Sequence, residues 1–348
     1  MKTTRPIICR VDAGPGIGLG HLQRCLSIAI GLRDLGVECV FLSPNDDEVR
    51  KKITRLGFVT NPLPKAELGG PKDLSSLLAT ARIYGSQSVL VDSYFTDDFF
   101  YAQLLDAGLY VAAIDDLGRS FKCNLLIDSS VDAGTIRSRR VTKGVKFLLG
   151  PDYAPLNQEF WDLPKRIINK NIEDILITMG GADSFGLTPS IIESLDSIDA
   201  DFAVRVIVGP LFKNATEIHD VASKAAHVFN TVDNPTAMKN FMLEADIAIS
   251  AGGQTLYELS ATGVPTIAVK IADNQSGNLK SFFEAGTIFP ITFRSIQQMH
   301  RKIYSAMNGK FADYDVRSAM SSSGQSLVDG KGAIRCAREL ASLISWHE

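Results

Sequence analysis

Short apolar runs rich in β-branched residues alternate with segments of helical spacing along the whole chain. In the first half, strands are predicted over 7–11, 38–42, 88–92, 110–115 and 125–128. Several are apolar without alternation, the pattern of a parallel strand covered by helices on both faces. Between them, Leu22, Leu26, Ala29 and Ile30 recur on one helical face. The pattern breaks over 150–171, where Pro151, Pro155 and Pro164 precede a charged stretch at 165–170. Alternation then resumes, with strands predicted over 174–179, 202–208, 227–230, 247–250 and 265–269. A terminal amphipathic helix is predicted over 332–346, its apolar positions being Ile334, Ala337, Leu340, Leu343 and Ile344.

This pattern predicts an α/β fold of two Rossmann-like, doubly wound domains. The first covers 1–157, a linker 158–171, the second 172–330, and the terminal helix 331–348. Open α/β sheets bind ligands beyond the carboxyl ends of their strands. Two such domains are therefore expected to face a cleft, with the chemistry just after strands.

Composition narrows the class. A chain of 348 residues exceeds the size at which one core keeps growing, and its 45% apolar content is globular. No apolar run approaches the ~20 residues of a membrane span, and the first residues carry no signal-peptide pattern. Cys9, Cys25, Cys39, Cys123 and Cys336 are scattered without a C-x-x-C pair, so disulfides and zinc are not expected and a cytoplasmic setting is. The net charge of −3 has its signs mixed, which excludes the basic footprint of a nucleic-acid binder. Any anionic ligand must be held by local amides and helix ends.

Two glycine loops stand where ligands are expected. After the first strand comes Asp12-Ala13-Gly14-Pro15-Gly16-Ile17-Gly18-Leu19-Gly20-His21, entering a helix. A dinucleotide fingerprint fails, because its third glycine position is Leu19 or His21 and no acid ends the second strand. His21 falls in the first helical turn, whose positive end favours the uncharged ring a base needs; the alternative is a histidine that packs on the loop. Asp12 is a candidate to orient the imidazole or to meet a sugar hydroxyl, against the simpler reading of a turn residue. In the second half, Ser250-Ala251-Gly252-Gly253-Gln254-Thr255 offers bare amides at a helix start, a cradle for a diphosphate unless it is an ordinary tight turn. Glu258 either closes a capping box with Thr255 or takes ribose hydroxyls. Met179-Gly180-Gly181-Ala182-Asp183 is a further loop of this type, and Asp273-Asn274-Gln275 follows another strand.

Together these motifs resemble a known family, the UDP-2,4-diacetamido-2,4,6-trideoxy-β-L-altropyranose hydrolases of pseudaminic acid biosynthesis. The matching pieces are Arg10-x-Asp12, Ile17-Gly18-x-Gly20-His21-x-x-Arg24-Cys25-Leu26, Val91-Asp92-x-Tyr94 and Ile114-Asp115-Asp116. They continue through Gly150-x-x-Tyr153-x-x-Leu156-x-x-Glu159-Phe160, Met179-Gly180-Gly181-x-Asp183, Ser250 to Leu259, and Asn274-Gln275. The family is similar in turn to two-domain GT-B glycosyltransferases. The resemblance implies that His21 activates water, that Tyr94 lines the sugar pocket with Asp12 and Gly20, and that Ser250, Glu258 and Asn274 belong to the UDP site with Val232 near uracil. It also implies that the terminal helix packs back on the first domain. One departure stands out: Leu156 is followed by Asn157, where the family commonly has arginine.

The resulting expectation is a hydrolase that releases UDP from a UDP-linked amino sugar by inverting attack of water at the anomeric carbon, without a cofactor or metal. UDP is a stable anion, so amides around Gly252 and Gly253 replace the second carboxyl group of a glycosidase. The Asp115-Asp116 pair reads as a sugar contact or a strand-end turn rather than a metal pair. The alternative is a GT-B glycosyltransferase with the same donor, although the sequence shows no apolar or basic patch for a lipid acceptor. A non-catalytic nucleotide-sugar binding protein is the third. Nothing in the sequence requires more than a monomer.

Overall fold

The computed structural model describes residues 5–14, 16–63, 68–137, 144–272 and 275–344. The chain forms two compact units, Met1–Trp161 with Gly330–Glu348, and Asp162–Asp329.

The first unit is built on β1 (Ile7–Val11), β2 (Cys39–Pro44), β3 (Val59–Leu63), β4 (Ser88–Asp92), β5 (Tyr110–Ile114), β6 (Leu125–Asp128) and β7 (Lys146–Leu149). They pair in parallel in the order β3-β2-β1-β4-β5-β6-β7. Strand periodicity explains the continuous apolar runs. Ile7, Cys9 and Val11 join a core with Leu22, Cys25, Leu26 and Ala29 of the helix Gly20–Asp34. Ile8 joins a separate core with Leu77, Phe100, Tyr101 and Leu104. Both faces are covered, so both strand registers are apolar. Arg10 shares the face of Ile8 and is fully buried.

The terminal helix Gly332–Ile344 packs in this unit, where Cys336, Ala337 and Leu340 join the core of the helix Gly20–Asp34. A Cβ on Gly31 would lie 2.9 Å from Cβ of Ala337, so the two helices touch through small residues. Ile334 is only half-buried, and the side chains of Leu343 and Ile344 lie outside the described residues.

The second unit contains β8 (Asp174–Thr178), β9 (Ala203–Val208), β10 (Val228–Asp233), β11 (Ile247–Ala251), β12 (Thr266–Val269) and β13 (Ile288–Ile291). Their order is β10-β9-β8-β11-β12-β13, again parallel throughout. In each sheet the chain runs outward from one central strand, returns, and continues on the other side. That reversal lies between β1 and β4 in the first sheet and between β8 and β11 in the second, the position where such sheets bind ligands.

The boundary between the units falls within the stretch 158–171, between Trp161 and Asp162. Gln158–Phe160 is a 3₁₀ turn of the first unit. Arg166 donates to the carbonyls of Met242 (3.1 Å), Thr262 (3.4 Å) and Ala245, around the ends of the helices Lys239–Glu244 and Thr255–Thr262. Fully buried Arg317 donates to the carbonyls of Asn169 (2.7 Å) and Lys170 (2.6 Å). No helix among the described residues is long and apolar enough to cross a membrane.

Candidate active site

The chemistry of the first unit gathers at its reversal point. β1, β4, β5 and β6 each end in or run into an aspartate: Asp12, Asp92, Asp115 and Asp128. Asp92 is fully buried and takes three hydrogen-bond donors. His21 Nδ1 lies 2.6 Å from its Oδ1, Arg24 Nη2 is 2.8 Å from the same oxygen, and Arg24 Nε is 3.0 Å from Oδ2. His21 and Arg24 are three positions apart on one helix and so reach the same carboxylate. Because a carboxylate accepts, Nδ1 of His21 is the donor of this pair, and in the neutral tautomer it favours Nε2 is the acceptor. The 3.1 Å approach of Arg24 Nη2 to His21 Nδ1 is then two donors converging on one oxygen.

Arg24 also donates from Nη1 to Oδ2 of Asp116 at 2.6 Å, and Tyr94 donates its hydroxyl to Oδ1 at 2.8 Å. Burial alone would raise the Asp116 carboxyl, but the charge of Arg24 and the two hydrogen bonds outweigh it and hold Asp116 below its ordinary value. Burial penalises the Arg24 charge, yet Asp92 and Asp116 hold it well above the usual arginine value. The Tyr94 hydroxyl is raised by burial and by Asp116, so it stays a donor. Its ring meets the His21 ring edge-on at 4.4 Å and 81°.

Asp12 does not orient the imidazole. It accepts from Arg10 and, at 3.1 Å, from the backbone amide of Tyr94. Arg10 in turn binds Asp73, whose Oδ2 takes the amide of Gly69 at 2.8 Å. Strand register sets this arrangement: Arg10 points to the face where the helix Pro71–Ile83 begins, and Asp12 follows two residues on. Asp92, on the strand next to β1, is the carboxylate that meets the imidazole.

The first glycine loop closes on itself. Gly14 and Gly18 exchange amide-to-carbonyl bonds of 3.0 and 2.9 Å, with φ of 121° and 92° that side chains rarely adopt. The amides of Gly14 and Gly18 are thereby used within the loop, and Pro15 lies outside the described residues. Gly20 opens the helix and is exposed, one residue from His21. The Asp115-Asp116 pair diverges, Asp115 binding Arg119 and Asp116 binding Arg24.

In the second unit, Gly180-Gly181 and Gly252-Gly253 follow the two strands at the reversal point. The Cβ that Gly180 lacks would sit 3.8 Å from Oγ1 of Thr255, so the two loops are neighbours. The second pair is asymmetric. A Cβ on Gly252 would meet Leu279 at 2.9 Å and Gln275 Oε1 at 3.1 Å, whereas one on Gly253 would meet nothing within 4 Å. The Gly252 carbonyl also accepts from Asn278 Nδ2 at 3.0 Å. Gly252 is thus required by packing, whereas Gly253 borders open space. Beside it, Nε2 of Gln254 is buried with no hydrogen-bond partner among the described residues.

The remaining predicted UDP residues are spread more widely. Ser250 is enclosed in β11 and donates to the carbonyl of Ala251 at 3.2 Å. Thr255 is the first helical residue rather than the cap; Gln254 holds the cap position and makes no side-chain capping bond, so the capping box does not form as expected. Glu258 is half-buried in that helix's first turn. Val232 is half-buried near the end of edge strand β10, paired with Ile207. Asn274 lies outside the described residues.

The glycosyltransferase family 28 C-terminal domain matches residues 175–323. An uncharacterized protein of Methanocaldococcus jannaschii is 25% identical over 272 residues, covering 74% of this chain and 54% of its own. The spore coat polysaccharide biosynthesis protein SpsG of Bacillus subtilis is 27% identical over 357 residues, 95% of this chain and 96% of that one. A Helicobacter pylori protein named pseudaminic acid cytidylyltransferase and UDP-2,4-diacetamido-2,4,6-trideoxy-β-L-altropyranose hydrolase is 23% identical over 300 residues, 85% of this chain and 50% of that one. The chain therefore spans about half the length of the archaeal and Helicobacter relatives and nearly all of the Bacillus one. Among solved structures, Acinetobacter baumannii MurG aligns with a TM-score of 0.69 at 13% identity, covering 98% of this chain and 99% of MurG. S. aureus MnaA, in its UDP co-structure, aligns with a TM-score of 0.70 at 12% identity, covering 98% and 97%. The fold is of the GT-B type, and the Helicobacter relative carries the name of the family that the motifs resemble.

Proposed function

We propose that this chain, a GT-B enzyme acting on nucleotide sugars and related to the pseudaminic-acid-pathway protein, hydrolyses a UDP-linked diacetamido-trideoxyhexose at its anomeric carbon. The observation that carries the reading is the His21–Asp92 pair. Asp92 takes the Nδ1 proton at 2.6 Å, which leaves Nε2 of a neutral ring to remove a proton from water. The water oxygen forms the new bond to the anomeric carbon as the bond to the UDP oxygen breaks on the opposite face. UDP departs as a stable anion, so no acid is needed, and the open space at Gly253, beside a helix start, suits its phosphates.

Charge supports the same step. Asp92 and Asp116 are both paired with Arg24, two negative charges to one positive, so the proton arriving on His21 brings the group to neutrality. Tyr94, held between Asp116 and His21, is the side chain best placed to meet the sugar.

A second reading, transfer of the sugar to an apolar acceptor, draws support from surface that the sequence did not reveal. Phe95, Phe99 and Leu117 are 52%, 65% and 51% exposed around the Tyr94 loop. One experiment separates the two. The chain is incubated with UDP-amino sugars in the absence of any acceptor, alongside His21→Ala. Hydrolysis predicts UDP release by the parent and a loss of at least about 10²-fold in kcat with UDP binding retained in the variant. UDP release only on adding an acceptor would select transfer, and unchanged turnover in His21→Ala would remove His21 as the base.

A further inference from the structure

We propose that Arg119 is a positioning residue that sets Tyr94 in place through the backbone of the loop Ser93–Thr96; the inference rests on the hydrolase reading only for its kinetic consequence. Arg119 uses every arm of its guanidinium on a fixed acceptor. Nε donates to Oδ1 of Asp115 at 2.6 Å, Nη2 to the Ser93 carbonyl at 2.6 Å, and Nη1 to the Thr96 carbonyl at 2.9 Å and, more loosely, to that of Tyr94 at 3.4 Å. Its own amide donates to Oδ2 of Asp115 at 2.9 Å, so the fully buried carboxylate grips the residue at two points. The guanidinium also lies 5.5 Å above the Phe121 ring, which stacks on Tyr101 at 4.0 Å.

The opposite edge of the loop is held independently. Asp12 takes the Tyr94 amide at 3.1 Å, and Ser93 Oγ takes the Phe95 amide at 3.0 Å. The two acids that follow β5 thus act on one tyrosine. Asp116 holds its hydroxyl directly, and Asp115 holds its backbone through Arg119. Only a planar fork spans three carbonyls and a carboxylate at once; an ammonium at the same place reaches one or two of them. A loop whose polar groups are satisfied in this way presents Tyr94 preformed, with no ordering left for substrate binding to drive.

The test compares Arg119→Ala and Arg119→Lys with the parent in two measurements. Amide hydrogen exchange at residues 94 and 95 should rise several-fold in Arg119→Ala while the strands of the first unit keep their protection. In kinetics, kcat/KM should fall by about tenfold or more, chiefly through KM, because the His21–Asp92 pair does not touch Arg119. Guanidinium ion at tens of millimolar should recover part of that loss where the same concentration of ammonium does not, and Arg119→Lys should stay close to Arg119→Ala. Unchanged exchange at residues 94 and 95, full activity in Arg119→Lys, or recovery by ammonium as well would overturn the proposal. If the parent releases no UDP from any UDP-amino sugar, the hydrolase reading falls and the exchange measurement alone decides the role of Arg119.

Discussion

The two units place different chemistry at the same topological position. Around the ends of β1, β4 and β5 the first sheet gathers two hydrogen-bonded clusters, Arg10 with Asp12, and His21 with Asp92, Arg24 and Asp116. Between β8 and β11 the second sheet offers Gly180, Gly181, Gly252 and Gly253, with backbone where side chains would stand. A charged network does chemistry that needs a proton held at a stated atom. A bare-backbone turn suits an anion that carries its own charge and needs only donors. On the proposed function, one strand order carries a proton-handling site in one unit and an anion cradle in the other, and the loops decide which.

The sharpest way to break this comparison is to remove the carboxylate that organises the first site. Asp92→Asn keeps the shape but ends the preference for a proton on His21 Nδ1, and kcat should fall by about 10²–10⁴-fold while UDP affinity is kept. A steady-state assay with UDP displacement checks both, and a loss confined to UDP affinity would mean that Asp92 serves the fold alone. On the second unit, Gly253→Val fills space that the protein leaves empty. UDP affinity should drop by about tenfold with the melting temperature unchanged, because the backbone can no longer approach the phosphates. Calorimetric titration with UDP reads this directly, and unaltered affinity would move the cradle elsewhere.

The smallest effect lies away from both sites. His227 sets Nδ1 at 3.1 Å from Asp196 Oδ1 and Nε2 at 2.8 Å from the Ala200 carbonyl, and its ring stacks on Phe202 at 4.7 Å. Burial opposes the ring's charge, but the Ala200 carbonyl and Asp196 outweigh it and raise its pKa above the ordinary 6.5. The charged ring thus stabilises the fold fully below about pH 6.5 and loses that contribution as pH rises through the folded value. Burial would raise Asp196, yet the His227 and Ala226 amides and the ring of His227 hold it below 3.8, so its share persists down to acid pH. Comparing urea midpoints of His227→Gln and the parent at pH 5.5 and pH 8.5 should show a difference of up to about 1 kcal/mol that shrinks at the higher pH. An equal difference at both would contradict the ionic part of this account.

The sequence made the centres of both sheets legible and left their edges out. β1, β4, β5, β8, β9 and β11 are buried on two faces and read as apolar runs. The strands that were not predicted, β3, β7 and β13, are all edges, where one side has no neighbour and polar residues or proline are tolerated, as at Pro62 and Pro290. In β10, the fourth edge, the prediction stopped short at Asn230, three residues before the strand ends at Asp233.

The candidate site shows the same division. His21 was visible because it follows glycines after a strand. The role of Asp92 was not, since 71 positions separate the pair and only the adjacency of β1 and β4 brings them together. The strand-end aspartates were the available signal, but nothing in their spacing ranks Asp92 above Asp12. Arg119 left no trace, because three of its acceptors are backbone carbonyls, which every residue carries. Gly252 and Gly253 read alike in sequence, and contacts from Leu279, Gln275 and Asn278 tell them apart.

The central claim is that water, activated at His21, takes the sugar from UDP by attack at carbon. Turnover of a UDP-amino sugar in ¹⁸O-labelled water, followed by mass spectrometry of both products, tests it most directly. The account predicts one heavy oxygen in the released sugar and none in UDP. Heavy oxygen in the nucleotide would mean attack at phosphorus and would contradict it.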